Sequence, residues 1–209
     1  MIDNIFNKYL KINVSRETCG LIETYIQNVV DRNKEINLIS KKSVENIRVR
    51  HIIDCAQAID FIDKNDKKCI DLGSGAGLPG IVLAIIMKEK KSEMIFELYE
   101  KSYHKSKFLE QVSEKLKIKT KILKKDILKE KKLITDVVIA RAFKPLPEIL
   151  KVVHSNFKVI KNLIVFMGSN GNKYLDASLE KWKFDYKKKV SITNKDSYLI
   201  NITNLKKID

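Results

Sequence analysis

The stretch Cys69-Ile70-Asp71-Leu72-Gly73-Ser74-Gly75-Ala76-Gly77-Leu78-Pro79-Gly80 reads as an apolar strand, a tight turn and the start of a helix. Gly73 is able to take the positive φ that a sharp strand-to-helix turn needs. Gly75 and Gly77 lack a Cβ, so a ligand can lie against bare backbone there. A helix starting near Leu78 or Pro79 aims free N–H groups at the same place, and proline suits a first helical position. Two ligand classes use such a turn. Dinucleotides take G-x-G-x-x-G, with the pyrophosphate on the helix N-terminus. Here Gly73-x-Gly75-x-Gly77 fits best, although Gly75-x-Gly77-x-x-Gly80 also has the dinucleotide spacing. Asp71, two residues before the first glycine, favours S-adenosylmethionine, whose sulfonium and amino groups are positive. Glu100, at the end of the next strand, is placed for ribose hydroxyls and serves either ligand. The competing reading is a glycine turn that binds nothing. The strand, the spaced glycines, the helix and the strand-end acid together weigh against it.

Outward from this turn, short apolar runs recur over 94–99, 120–123, 136–140 and 163–167, separated by amphipathic segments near 79–88, 103–117, 146–156 and 172–182. That alternation predicts a parallel sheet covered by helices on both faces. The tail predicts two strands, 183–192 and 197–204, around Asn194-Lys195-Asp196, a hairpin adding antiparallel strands at one sheet edge. Upstream, Leu21, Ile22, Tyr25, Ile26, Val29, Val30 and Ile36 form one apolar stripe of a helix with Ser15 as N-cap. A second helix is expected from Ser43 to about Phe61, with Val44, Ile47, Ile52, Ala56 and Ile59 facing inward. The expected fold class is a doubly wound α/β domain. Residues 1–62 form a helical extension packed on a ligand-binding domain over 63–209.

Composition narrows the function classes. The chain has 209 residues, 44% of them hydrophobic and 32% charged, enough for one α/β domain with a real core. No apolar run approaches the roughly 18 to 20 residues that span a bilayer. The N-terminus lacks the basic start and long apolar run of a secretion signal, so a cytoplasmic location is expected. Cys19, Cys55 and Cys69 lie far apart in apolar segments, which predicts buried, reduced thiols rather than a disulfide framework or a zinc site. The net charge of +15 draws polyanions, nucleic acid first among them. Of the 41 basic residues only Arg16, Arg32, Arg48, Arg50 and Arg141 are arginines. Such a Lys excess is also what an AT-rich genome produces.

Four segments occur in order: Asn37-Leu38-Ile39-Ser40, Arg50-His51-Ile52-Ile53-Asp54-Cys55, the 70–80 turn, and Ile139-Ala140-Arg141-Ala142-Phe143. Over roughly residues 20 to 170 the chain resembles the bacterial ribosomal RNA small-subunit methyltransferase G family, also called glucose-inhibited division protein B. The resemblance implies a Rossmann-like class I methyltransferase fold, and methyl transfer from S-adenosylmethionine to N7 of one guanine in 16S ribosomal RNA. It implies cofactor contacts at Gly73, Leu78, the Asp126-Ile127 backbone and Arg141, and the small ribosomal subunit as partner of a monomer. The chain departs from the family in two places. Lys125-Asp126-Ile127 stands where the family carries an Arg-Ala-Glu-like segment. Phe166-Met167-Gly168 replaces Leu-Lys-Gly, so a family lysine is missing, with Lys161, Lys173 or another neighbour as its stand-in.

The chemistry implied needs little machinery. Guanine N7 has an exposed lone pair and no proton, so alignment rather than a general base carries the rate. Amino-group methyltransferases carry Asp or Asn followed by Pro-Pro-Tyr after the fourth strand; Ala140-Arg141-Ala142-Phe143 stands here instead. The expected catalytic group is Arg141, His51, Asp54 and Asn37. His51 and Asp54, three apart on a helix, either orient the guanine edge, shape the cofactor mouth, or simply pack the helix. Arg141 is a forked contact to cofactor, guanine or phosphate, or a salt bridge. Asn37 bonds a base or caps a helix. The expected cofactor contacts are Asp71, Gly73, Gly75, Gly77, Leu78, Glu100, Asp126, Ile127 and Arg141, with no metal. The lysines of 101–107 and 115–125 either track RNA phosphate, with Tyr103 and His104 stacking on a base, or form solvated faces. The alternatives are a methyltransferase for another substrate and a non-catalytic RNA-binding module.

Overall fold

The computed structural model describes residues 2–208. Helices α1 (Ile2–Leu10) and α2 (Arg16–Arg32) come first, followed by the short α3 (Lys41–Val44) and α4 (Asp54–Ala56). Ser15 caps α2, its Oγ accepting the Thr18 N–H at 3.1 Å. Strands and helices then alternate through β1 (Lys68–Leu72), α5 (Gly80–Glu89), β2 (Ile95–Tyr99), α6 (Tyr103–Leu116) and β3 (Thr120–Leu123). After β4 (Leu133–Ile134) come β5 (Val137–Ala140), α7 (Leu146–Asn156), β6 (Phe157–Val159), β7 (Asn162–Met167) and α8 (Gly171–Leu179). The chain closes with β8 (Trp182–Val190) and β9 (Tyr198–Lys207). The seven-stranded sheet runs β3-β2-β1-β5-β7-β9-β8, parallel from β3 to β7, with β9 and β8 pairing antiparallel. The expected hairpin is there, and the last strand lies inside the penultimate one. The short strands β4 and β6 pair separately; their apolar signal is too short to read from sequence.

The central strands are apolar throughout because both sheet faces are buried. Along β5, Val137 and Ile139 join the core beneath α5 and α6, while Val138 and Ala140 join the core beneath α7 and α8. Residues of the N-terminal segment, Ile2, Phe6, Ile22 and Tyr25, belong to the same core cluster as Ile81, Phe96 and Leu109.

The second expected helix is not one helix. It breaks into α3, a π-helix (Arg48–Ile53), α4 and a 3-10 turn (Gln57–Phe61). Ile52, Ile53, Cys55, Ala56 and Ala58 are all fully buried. The buried positions fall on more than one face of the segment, and nothing in the spacing of its apolar residues marks the π turn. Among the described residues no helix is long and apolar enough to cross a membrane.

Candidate active site

A cavity of about 700 Å³ opens where β1, β2, β5 and β7 end. This is the carboxyl edge at which open α/β sheets bind ligands, and the volume suits a small-molecule site. Gly73, Gly75, Glu100, Arg141 and Gly168 each line it from the loop after a strand.

The glycine turn divides its labour. Gly73, Gly75 and Gly77 all have positive φ, at +69°, +58° and +92°. A Cβ on Gly73 would meet the Phe143 ring at 2.6 Å, and one on Gly77 would meet Ile81 at 2.4 Å. Those two positions are packing constraints. A Cβ on Gly75 would meet nothing nearer than the Gly73 carbonyl at 3.9 Å, so its open side belongs to the cavity. The reading that Gly77 also offers bare backbone to a ligand gives way: Gly77 is turned into α5 and α6 and does not line the cavity. Pro79 precedes the helix rather than beginning it, as N-cap to Gly80.

Asp71 is only 1% exposed, does not line the cavity, and accepts the Gly80 N–H at 3.1 Å. Burial pushes its carboxyl up to about 7. It braces the turn from beneath, and Gly80 is glycine because a Cβ there would meet Leu98 at 2.2 Å. Sequence spacing placed this acid beside the cofactor's positive groups; alternation along β1 puts it under α5 instead. Glu100 does reach the cavity. Its Oε2 accepts the Gly75 N–H at 2.9 Å and its Oε1 the Ser102 N–H at 2.8 Å. A carboxylate has about four lone-pair positions, so capacity remains for hydroxyl donors. Tyr25, on α2, donates its buried hydroxyl to the Ala76 carbonyl at 2.9 Å and ties the turn to the N-terminal segment.

On the opposite wall, His51, Asp54 and Arg141 meet. Arg141 Nε donates to Asp54 Oδ2 at 3.0 Å, and its Nη2 donates to the Arg50 carbonyl at 3.0 Å and to His51 Nδ1 at 3.1 Å. Burial, then the charges of Arg141 and Arg50, push the His51 imidazole down to about 4. His51 is therefore neutral and accepts at Nδ1. Asp54 Oδ1 accepts from Gln57 Nε2 (2.9 Å), Ser191 Oγ (3.2 Å) and Thr193 Oγ1 (3.0 Å). The carboxylate thus joins the π-helical segment, the β5 loop and the β8–β9 turn. The Arg141 guanidinium also stands 5.9 Å from the Phe166 ring centroid. Its Nη1 has no protein hydrogen bond among the described residues, which leaves one end of the fork for a ligand.

Leu78 lines the cavity, but Asn37, Asp126 and Ile127 do not. Asn37 is exposed; its neighbours Leu38 and Ile39 line the site, held by Asn33 Oδ1, which accepts both of their N–H groups. Asp126 caps the turn at 127–129, accepting Leu128 N–H at 3.1 Å, and the Ile127 carbonyl accepts from Asn156. Lys161 sits at the far end of β7, ion-paired with Asp66 at 3.2 Å and Asp136 at 2.6 Å, so it is no stand-in for the family lysine. Ser191 and Thr193 escaped sequence reading, and the sequence offers Tyr25 only as an apolar-stripe residue and Phe166 only within Phe166-Met167-Gly168. No spacing ties any of the four to the site; only the tertiary fold does. Among the described residues no group of three or more His, Cys, Asp or Glu could hold a metal.

The family model for rRNA small subunit methyltransferase G matches residues 18–202. The chain belongs to this family. A relative described as ribosomal RNA small subunit methyltransferase G, from Pelagibacter ubique, is 46% identical over 99% of both chains. The same fold recurs in solved structures of low sequence identity. The structure of the 16S rRNA methylase RmtB matches with a TM-score of 0.55 at 12% identity, covering 96% of this chain and 79% of that one. A mutant form of MtNAS in complex with S-adenosylmethionine matches at 0.56 and 12% identity, covering 89% and 75%. Within the methyltransferase G family, the glycine turn and the Arg141 cluster form the two walls of one cavity in this chain.

Proposed function

We propose that this chain transfers the methyl group of S-adenosylmethionine to N7 of a guanine in 16S rRNA of the small ribosomal subunit. The observation that carries the reading is the cavity itself. It sets bare Gly75 backbone and the Glu100 carboxylate on one side, and a braced arginine with a free terminal nitrogen on the other. The residues fit the cofactor: Gly75 leaves its side of the cavity clear of any Cβ, and Glu100 would keep lone pairs for ribose hydroxyls. When bound, S-adenosylmethionine supplies a methyl carbon made electrophilic by its sulfonium. The chain's own task is alignment and exclusion of water, because N7 carries a lone pair and no proton. Arg141, held by Asp54 and neutral His51, has a free Nη1 that would donate to guanine O6 and leave the N7 lone pair open for attack.

We read the chain as acting as a monomer, and the rRNA substrate supports a cytoplasmic location. Residues 1–62 act as an extension of the 63–209 domain, supplying Leu38, Ile39, His51 and Asp54 to the site. The test is radiolabelled methyl transfer to 16S rRNA and to small subunits from cells lacking the protein, followed by aniline cleavage. A single cleavage marks one N7-methylguanine. Incorporation that resists cleavage, or no incorporation into either substrate, overturns the reading.

A further inference from the structure

Tyr103, the first residue of α6, is an aromatic that the core does not use. It is 53% exposed, whereas the buried face of α6 is made by Ser106, Phe108, Leu109, Val112 and Leu116. It lies between Glu100 and Lys105 in the chain, both of which line the cavity, though its own side chain is outside the lining. Lys105, in the first turn of the same helix, lines the cavity itself. Lys124, at the end of β3, crosses to place its Nζ 4.0 Å from the Tyr103 ring centroid. The His104 ring meets Tyr103 edge-on, centroids 5.5 Å apart. Neighbouring lysines are ion-paired, Lys101 with Asp126 at 3.9 Å and Lys125 with Glu130 at 3.4 Å. Among the described residues Lys105 and Lys124 pair with no carboxylate. A half-exposed aromatic ring, one face against Lys124, beside ammonium groups that no carboxylate pairs is suited to stack an unpaired base and hold its phosphate.

We infer that Tyr103, with Lys105 and Lys124, forms a platform for an unpaired RNA nucleotide next to the target guanine. The inference rests on the rRNA reading above. A guanine that enters a cavity at the strand ends leaves its own stack, and the bases beside it lose a neighbour. Tyr103 replaces that lost stacking at the cavity mouth, and it does so for any base, since every base has a π face. Lys124 covers one side of the ring, and Lys105 carries positive charge from the rim inward.

The test compares Tyr103→Ala and Tyr103→Trp with the unaltered protein, using 16S rRNA from cells lacking the protein. Loss of one stacked base raises the RNA KM about 5- to 160-fold in Tyr103→Ala. Affinity for S-adenosylmethionine, read by calorimetry, stays unchanged. The Tyr103→Trp protein keeps its KM, and its added fluorescence is quenched by RNA in the absence of methyl donor, against the constant signal of Trp182, which is 4% exposed. Lys124→Gln lowers the salt slope of RNA binding by about one phosphate contact. An RNA KM within about twofold of wild type for Tyr103→Ala, or no quenching in Tyr103→Trp, overturns the platform while leaving the rRNA reading intact. A wild-type protein that methylates no 16S rRNA overturns both.

Discussion

Replacing Asp54 by Asn tests whether the Arg141 cluster is built around one carboxylate. Asp54 accepts four side-chain hydrogen bonds, from Arg141, Gln57, Ser191 and Thr193. An Asn amide has one acceptor oxygen, so its NH2 must face either the Arg141 guanidinium or the three donors on the other side. The Asp54 and Arg141 side chains are 16% and 17% exposed. That lies between exposed pairs, worth up to about 1 kcal/mol, and fully buried ones, where removing a partner costs about 3–5 kcal/mol. A loss of about 2–3 kcal/mol follows. For a chain of this size that is a fall in Tm of about 4–12 °C. Urea unfolding at neutral pH should show the loss as a lower midpoint at unchanged m-value. With Arg141 released, misplacement of the fork should cost about 100-fold in kcat/KM for methyl transfer. Asp60, whose ion pair with Lys189 is 55% exposed on the Asp60 side, is the internal contrast: Asp60→Asn should cost under about 1 kcal/mol. An Asp54→Asn protein that unfolds within about 0.5 kcal/mol of wild type and keeps its kcat/KM would refute the reasoning.

Three further perturbations probe the opposite wall. Gly75→Asp leaves the fold intact, because φ of +58° is one that Asp tolerates, but sends a carboxylate into the cavity beside Glu100; calorimetry should find no S-adenosylmethionine binding, and unchanged affinity removes the turn from the site. Tyr25→Phe takes the donor from the buried Ala76 carbonyl, costing about 1–3 kcal/mol in urea unfolding and weakening cofactor affinity; an unchanged midpoint counts against the tether. For Asp71, burial raises the folded carboxyl from 3.8 to about 7, so its contribution to stability is full below pH 3.8 and lost as pH rises through 7. Asp71→Asn keeps an acceptor for Gly80 and removes the titration, so its stability relative to wild type should climb between about pH 4 and 7; a flat difference across that window means the carboxyl titrates normally.

The amino-acid sequence by itself determined the alternation of the main-sheet strands with helices, the glycine turn, the strand-end Glu100 and the position of Arg141 after β5. Those features depend on local periodicity and on backbone chemistry within a few residues, which a single chain displays openly. Only the tertiary structure decided what each polar group faces. Asp71 stands two residues from Gly73 in sequence yet lies under α5, because strand alternation assigned its side chain to the buried face. Asp54 meets Arg141 across 87 positions and Ser191 across 137, separations at which no spacing rule operates. The break of the expected 43–61 helix into a π turn belongs to the same class. The apolar periodicity of 43–61 is compatible with a continuous helix, and only the folded backbone shows the change of hydrogen-bond pattern over 48–53. The glycine turn of the cavity is thus written in consecutive residues, while the wall that faces it is assembled by the sheet crossing.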